Sequence, residues 1–501
     1  MDVDDPLPPL PLKVEEPPPV TTADVGHERG VQTLPVHRPA EAKTVAIVDL
    51  DTAEVFSLDW VDSPVEGEEQ RLLATGGHIW RAFRMPLSVN ESPNVLKELG
   101  SSDFGRMVVS SSAVDSTGKK LALAVGQPCD YTKLIVMASS ADQRDERLVL
   151  AKISGAVLLL RWSKSSELLF YTVKDVDEPP ELPRARGFSV FNVTTRSVAC
   201  MTEDDMPIED AAWVNDTRVI ACGDKSLNLF NVETTQMQDI TRLASITTDR
   251  AWAIIRYDAV TKQACCVAPN DNTIALLVLG DDEYEGPQSS PLGKGSDLSS
   301  SRRGYSQVAE GTETGFRIRV EASQQGDGIT AMEWQPLTAE TAQSQRNETT
   351  MDVDDAIPTS PMQRSSDPST TRILATSARN GTVTLWNAAM AASAEAIQPL
   401  RTLLMPDSIP ALALAFSPNG RYVAASGTDT VCIWIVEEAP GTSGTAATLE
   451  SRDKPFAVWT AAEGSDVHAE SDADCEAWPY QCLSWNSAGT RLACSTHKTV
   501  R

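Results

Sequence analysis

One aromatic position recurs along this chain at the end of a short apolar run, and that recurrence restricts the possible folds more than any other feature. The runs are VFSLDW ending at Trp60, VLLLRW at Trp162, EDAAW at Trp213, ITAMEW at Trp334, ALALAF at Phe416 and QCLSW at Trp485. Five of the eleven tryptophans share this register. A polar turn follows, seen as SPNG from Ser417 to Gly420 and NSAG from Asn486 to Gly489, and then a second apolar run such as RVIACGD, ILATSA, YVAASG or RLACST. Short apolar runs bounded by Gly, Pro, Asn and Ser read as strands joined by tight turns. Unrelated β-domains sharing chance aromatics would not repeat one register six times.

A third run then ends in an aromatic and a following residue: Phe191-Asn192, Phe230-Asn231, Trp386-Asn387 and Trp434-Ile435. This is the place of the Trp-Asp pair in a WD repeat, with Asn commonly standing for Asp. Two weaker units, near residues 107–139 and 251–279, fill the gaps and bring the expected count to eight. The interval from Trp162 to Trp213 is 51 residues and from Trp213 to Tyr257 is 44, close to the roughly 40–45 of a propeller blade. The sequence therefore predicts an all-β fold, a WD40-type β-propeller of eight blades over residues 43–501. Small residues at the ends of the second runs suit the narrow part of a blade, where neighbours converge.

Residues 1–42 are crowded with Pro and acids and are expected to form a disordered tail. Two polar stretches, about 281–325 and 337–371, interrupt strand-like sequence and read as loop insertions; the second repeats the tail's MDVDD at Met351 to Asp355. A ring of blades must be tied shut. The segment Lys43 to Asp51, KTVAIVDLD, is expected to supply the outer strand of the last blade. The final third strand, at Thr499-Val500-Arg501, looks cut short, which would weaken closure unless the protein continues.

Charge narrows the partner classes. Lys plus Arg number 43 against 70 Asp plus Glu, a formal charge of −27, so phosphate backbones and anionic membranes would be repelled. Direct nucleic-acid and membrane binding are not expected, and basic protein segments fit better. No run reaches the roughly 18 apolar residues of a membrane span. The nine cysteines are scattered, without a CxxC pair, and read as small buried apolar groups in a reducing nuclear or cytoplasmic setting.

Chemistry is hard to place. The five histidines, at 27, 37, 78, 468 and 497, are dispersed, so no metal triad is expected. There is no phosphate-cradling GxxxxGK[ST] and no GxSxG elbow. Acid pairs such as Asp204-Asp205 and Asp281-Asp282 sit in polar loops, where solvated charge is the ordinary reading. No catalytic residue, metal or cofactor is therefore assigned. Ser290-Pro291 and Ser360-Pro361 could accept phosphate within the insertions. Rigid blades hold the loops of one face in fixed register, which makes Glu54, Asp327, Arg379 and Trp478 the candidate partner-binding residues.

ITAMEWQP, with an insertion before ILATSARNGTVTLWN, then LALAFSPNGRYVAASGTDTVCIWI and CLSWNSAGTRLACSTHKTV, resemble the transducin-β-like WD-repeat subunits of nuclear-receptor corepressor and histone deacetylase complexes. KTVAIVDLDTAEVFSLDW resembles the first blade of that family. The resemblance covers roughly 43–501 in layout and is strongest over 326–501. It implies a non-enzymatic scaffold in the nucleus, with corepressor or deacetylase subunits and basic histone tails as partners. A substrate receptor of a ubiquitin ligase, or another cytoplasmic assembly, is the alternative, since one fold serves many complexes. Two departures stand out. The family's N-terminal LisH oligomerisation helix has no counterpart in this Pro-rich N-terminus, which leaves the oligomeric state open. The repeats also lack the Gly-His dipeptide and turn Asp that build a buried polar network in typical blades, so these blades are expected to rely more on apolar packing.

Overall fold

The computed structural model describes residues 40–41, 48–49, 55, 57–61, 71–77, 79–84, 97–103, 107–126, 131–138, 148–174, 185–201, 207–232, 240–279, 316–324, 327–336, 372–388, 397–428, 430–436, 453–460, 482–496 and 499–500. They form β-strands and the turns between them, with two single turns of 3-10 helix. No described helix is long and apolar enough to cross a membrane.

Each aromatic anchor closes the first strand of its own sheet. The first strands are Ser57–Val61, Ala156–Trp162, Asp210–Asn215, Ile329–Trp334, Ala413–Phe416 and Leu483–Trp485. The weaker units begin with Val108–Val114 and Ile254–Asp258. From each first strand the chain folds back antiparallel, strand after strand, toward the rim. The turns use the predicted chemistry: Gly420 and Gly489 sit at φ +68° and +64°, in the left-handed region where glycine pays no steric cost. Their N–H groups donate to Ser417 O and Asn486 O at 2.8 Å.

Of the eight blades expected of the repeats, seven appear among the described residues as regular four-stranded sheets. The Phe416 sheet has five strands, because Ala40–Glu41 adds in parallel to its outer strand Ala457–Thr460. That pairing lies within residues read from sequence as tail. The Trp485 sheet gains its fourth strand from the other end of the chain, where Val48 and Asp49 pair antiparallel with Val500 and Thr499. Closure of the last sheet by the segment 43–51 is thus realised at two of its residues.

A second correction concerns the stretch 281–325. Arg317–Ser323 inside it is a regular strand, the rim of the sheet that begins at Ile254, and Leu276 pairs with Val320. Its RIRVEAS sequence alternates charged and apolar residues because only one face is covered. Residues 281–315 and 337–371, with Ser290 and Ser360, lie outside the described residues.

The core sits between sheets rather than within one. Ile220, Cys222, Leu227 and Leu229 of the Trp213 sheet pack on Trp252, Ile255, Ala264 and Cys266 of the next. Val55, Leu58, Leu72, Ala74 and Phe83 of the first sheet pack on Ala493 of the last. Second strands are covered on both faces, so Leu121 to Val125 and Cys265 to Ala268 are fully buried. Each large side chain so buried contributes about 1.5–3 kcal/mol. Among the described residues, Cys222, Cys265, Cys266 and Cys432 are free and buried and Cys494 is buried, the apolar role expected of them.

Polar bonds supplement the apolar packing. In the Trp334 sheet the Trp386 indole donates to Thr376 Oγ1 at 2.8 Å, and that hydroxyl donates to Gln324 Oε1 at 2.5 Å. The Gln324 amide in turn reaches Thr382 Oγ1 at 3.3 Å. A glutamine thus takes the part that the absent histidine would play. In the next sheet the equivalent Trp434 indole and Ser426 hydroxyl are buried and find no partner among the described residues.

Candidate functional site

The innermost strands of successive sheets touch one another around the axis, and polar groups at the residue before each aromatic anchor meet there. Indole N–H groups make one repeated junction. Trp60 donates to Ser484 O (2.8 Å), Trp162 to Ala113 O (2.9 Å), Trp213 to Arg161 O (3.1 Å), Trp334 to Arg256 O (3.2 Å) and Trp485 to Ala415 O (3.2 Å). Each acceptor is the residue before the anchor position of the preceding sheet, and the Trp60 bond joins the first sheet to the last. Tyr257 and Phe416 have no indole. At those two junctions a carboxylate accepts from a main-chain N–H instead: Asp210 from Ile255 (3.2 Å) and Glu333 from Phe416 (3.1 Å). Between the first two sheets the bridge is a hydroxyl pair, Ser57 with Ser112 at 2.6 Å.

The junction residues carry charge into the axis. Asp210 receives both Arg161, at 3.2 Å, and Arg256. Burial opposes ionisation of Asp210, but the two guanidiniums and the Ile255 N–H outweigh it and hold the carboxyl below its usual range. The Asp210 side chain is only 7% exposed, whereas Arg161 and Arg256 are 38% and 39% exposed, so the guanidiniums face water while their shared anion does not. Glu333 is pushed up to about 7 by burial, against the opposing Phe416 N–H and Arg256. Asp59 is pushed up to about 6 by burial, against its hydrogen bond with Ser57.

A cavity of about 430 Å³ opens beside this cluster, lined by Ser57, Asp59, Ser112, Arg161, Trp162 and Lys164 among others. These come from the first three sheets. Lys164 also lies over the Tyr257 ring, 5.8 Å from its centroid. The arrangement offers hydrogen-bond donors and charge, and among the described residues no cluster of His, Cys, Asp or Glu is placed to hold a metal ion.

Two of the four candidates from sequence are brought together elsewhere. Asp327 and Arg379 are both exposed and sit at the same end of the Trp334 sheet, before its first strand and after its second. The Arg379 N–H is shared between Asp327 O and Gly328 O, each at 3.0 Å, so the main chain fixes their spacing. Glu54 and Trp478 lie outside the described residues. Sequence reasoning passed over Arg161, Asp210, Arg256 and Glu333. For Arg161, Arg256 and Glu333 the available signal was a charge immediately before the anchor, in LRW, IRY and MEW, as Asp59 stands in LDW; Asp210 lies three residues before its anchor and had no such signal.

The family described as "WD domain, G-beta repeat" matches residues 398–434. That stretch runs from the rim strand Gln398–Leu404 of one sheet through the third strand Thr430–Ile435 of the next, so the sequence repeat is offset from the blade by one strand and ties the two together. The crystal structure of the C-terminal WD40 domain of Sif2 superposes with a TM-score of 0.55, over 93% of this chain and 98% of that one, at 14% identity. The fold is a WD40 β-propeller. No curated protein sequence matches the chain. In propeller terms, Asp327 and Arg379 occupy loops of one face, and the Arg161, Asp210 and Arg256 cluster lies on the innermost strands that ring the axis.

Proposed function

We propose that this propeller is a non-enzymatic scaffold of a nuclear corepressor or histone deacetylase complex, docking basic segments of its partners through loops of the Asp327 and Arg379 face. A propeller of this kind is suited to binding proteins, because packed blades hold loops still and so lower the ordering cost of association. The observation that carries the finer reading is the resemblance of residues 326–501 to the transducin-β-like subunits, reinforced by the fixed spacing of Asp327 and Arg379 at the start of that region. The −27 charge favours Lys- and Arg-rich partners such as histone tails and disfavours nucleic acid.

Affinity purification of the full chain from nuclear extract, with identification of co-purifying proteins, tests the proposal. Corepressor or deacetylase subunits are expected, and Asp327→Lys should deplete them. Recovery without any such subunit refutes the assignment, and cullin adaptors in their place would establish a ubiquitin-ligase receptor instead.

A further inference from the structure

We propose that the cavity beside this cluster binds a small oxyanion, a carboxylate or phosphate group, between the guanidinium of Arg161 and the ammonium of Lys164, which both line it, with Arg256 adjoining through the shared Asp210. The inference is independent of which complex the propeller joins, and stands if the corepressor assignment fails.

The first support is donor surplus. A guanidinium offers five N–H donors and no acceptor. Arg256 spends only Nη1, on Asp210 and on Ile255 O. Arg161 spends Nη1 on Leu160 O and Nη2 on Asp210. The Nε groups of both arginines, and Nη2 of Arg256, have no acceptor among the described residues, and both side chains are more than a third exposed. Lys164 has no carboxylate partner among the described residues. Unused donors surrounded by protein yet open to water are what an oxyanion requires.

The second support is charge balance. Two guanidiniums share one buried carboxylate, which leaves a positive excess that Lys164 enlarges. The competing acids are Asp59, on the wall of the same cavity, Glu333, beside Arg256, and Asp216, which accepts from the N–H of Ser165 next to Lys164. Desolvation makes Asp59 and Glu333 hold their negative charge less readily than a free carboxylate. Ser57 and Ser112 line the same space, with their hydroxyls bonded to each other. The size of the ligand follows from the field: a chain of −27 repels polyanions, so a single carboxylate or phosphate group fits better than a polyphosphate. A cavity of about 430 Å³ accommodates such a group with a short attached chain.

The full chain is titrated with inorganic phosphate and, separately, with succinate, at ionic strength held constant with sodium chloride. Broadening of the phosphate 31P resonance and a rise in the thermal midpoint are the readouts. Saturable binding of at least one probe is expected, and the tighter of the two identifies the preferred group. Lys164→Gln, at an exposed turn position, should fold normally and weaken binding by roughly tenfold, the worth of one charge-assisted hydrogen bond. Asp210→Asn frees donors on both arginines and should tighten binding, an outcome that loss of structure cannot produce. Midpoints no different from the chloride control with both probes would overturn the proposal. So would equal affinity in the parent and Lys164→Gln, or weaker affinity in folded Asp210→Asn.

Discussion

The buried ion pair between Asp258 and Arg372 offers the sharpest test of how this propeller is held together. Arg372 donates from Nε to Asp258 Oδ2 at 2.8 Å and from Nη2 to Oδ1 at 2.6 Å. The side chains are 9% and 3% exposed, and the partners are 114 residues apart in sequence. The guanidinium also bonds Gln335 O and lies 5.7 Å from the Trp334 ring centroid. Replacing Arg372 with Met keeps the stem and strands the carboxylate, which should cost about 3–5 kcal/mol at pH 7. Asp258→Asn strands the guanidinium at a similar cost.

The two variants part company with pH. Burial opposes ionisation of Asp258, but Arg372 and Thr261 outweigh it and depress its pKa. The pair therefore stabilises the parent above the unfolded carboxylate pKa, and that stability is lost as pH falls through the folded one. Without Arg372 the buried carboxyl can protonate, so the penalty of Arg372→Met should shrink between pH 7 and 4, while that of Asp258→Asn persists because arginine does not titrate there. Urea unfolding followed by tryptophan fluorescence measures both. A penalty below about 1 kcal/mol at pH 7, or one independent of pH for Arg372→Met, would refute the reasoning; the double variant Asp258→Leu, Arg372→Met should lie closer to the parent than either single change.

Trp386→Phe removes the bond to Thr376 and should cost about 1 kcal/mol, whereas Trp434→Phe deletes a buried N–H without a partner and should be neutral or stabilising; paired urea midpoints decide it. Glu333→Gln keeps an acceptor for the Phe416 N–H and abolishes a buried charge. Because the folded pKa of Glu333 is raised to about 7, its stabilising proton is lost as pH rises through that value, so the variant should gain on the parent at pH 8 and lose the advantage at pH 5. Trp60→Phe breaks the bond to Ser484 O and should speed amide hydrogen exchange in Leu483–Trp485 and Leu492–Thr496, with little change in sheets across the ring. Arg379→Glu should weaken partner recovery in the same purification that tests Asp327, while leaving the unfolding midpoint within about 0.5 kcal/mol of the parent.

Much of the architecture could be read directly from residues. Anchor positions, turn glycines and apolar second strands are local signals, and each was recognisable within ten or so residues. Rim strands were harder. Arg317–Ser323 has one covered face, so its alternating charges looked like loop. The fifth strand at Ala40–Glu41 is set by pairing with residues more than four hundred positions away, and nothing in a Pro-rich neighbourhood announces it. Shorter separations hid the site. Asp210 looks like a polar residue before a strand until Arg161 and Arg256 are placed on the strands to either side of it. Asp258 and Arg372 belong to different sheets. Periodicity locates elements; it does not say which charges those elements will bring into contact.

The Val48 and Asp49 pairing with Thr499 and Val500 has a consequence for how this molecule comes into being. During synthesis Val48 and Asp49 emerge first and must wait, with their main-chain groups on water, until some 450 further residues have been made. Intermediate blades can stack as they appear, each on its predecessor, but the circle stays an open arc until Thr499 and Val500 arrive. Completion is then a single late event joining two distant parts of one polymer, and a delay in making that strand would leave an apolar flank of the first sheet exposed for the longest time.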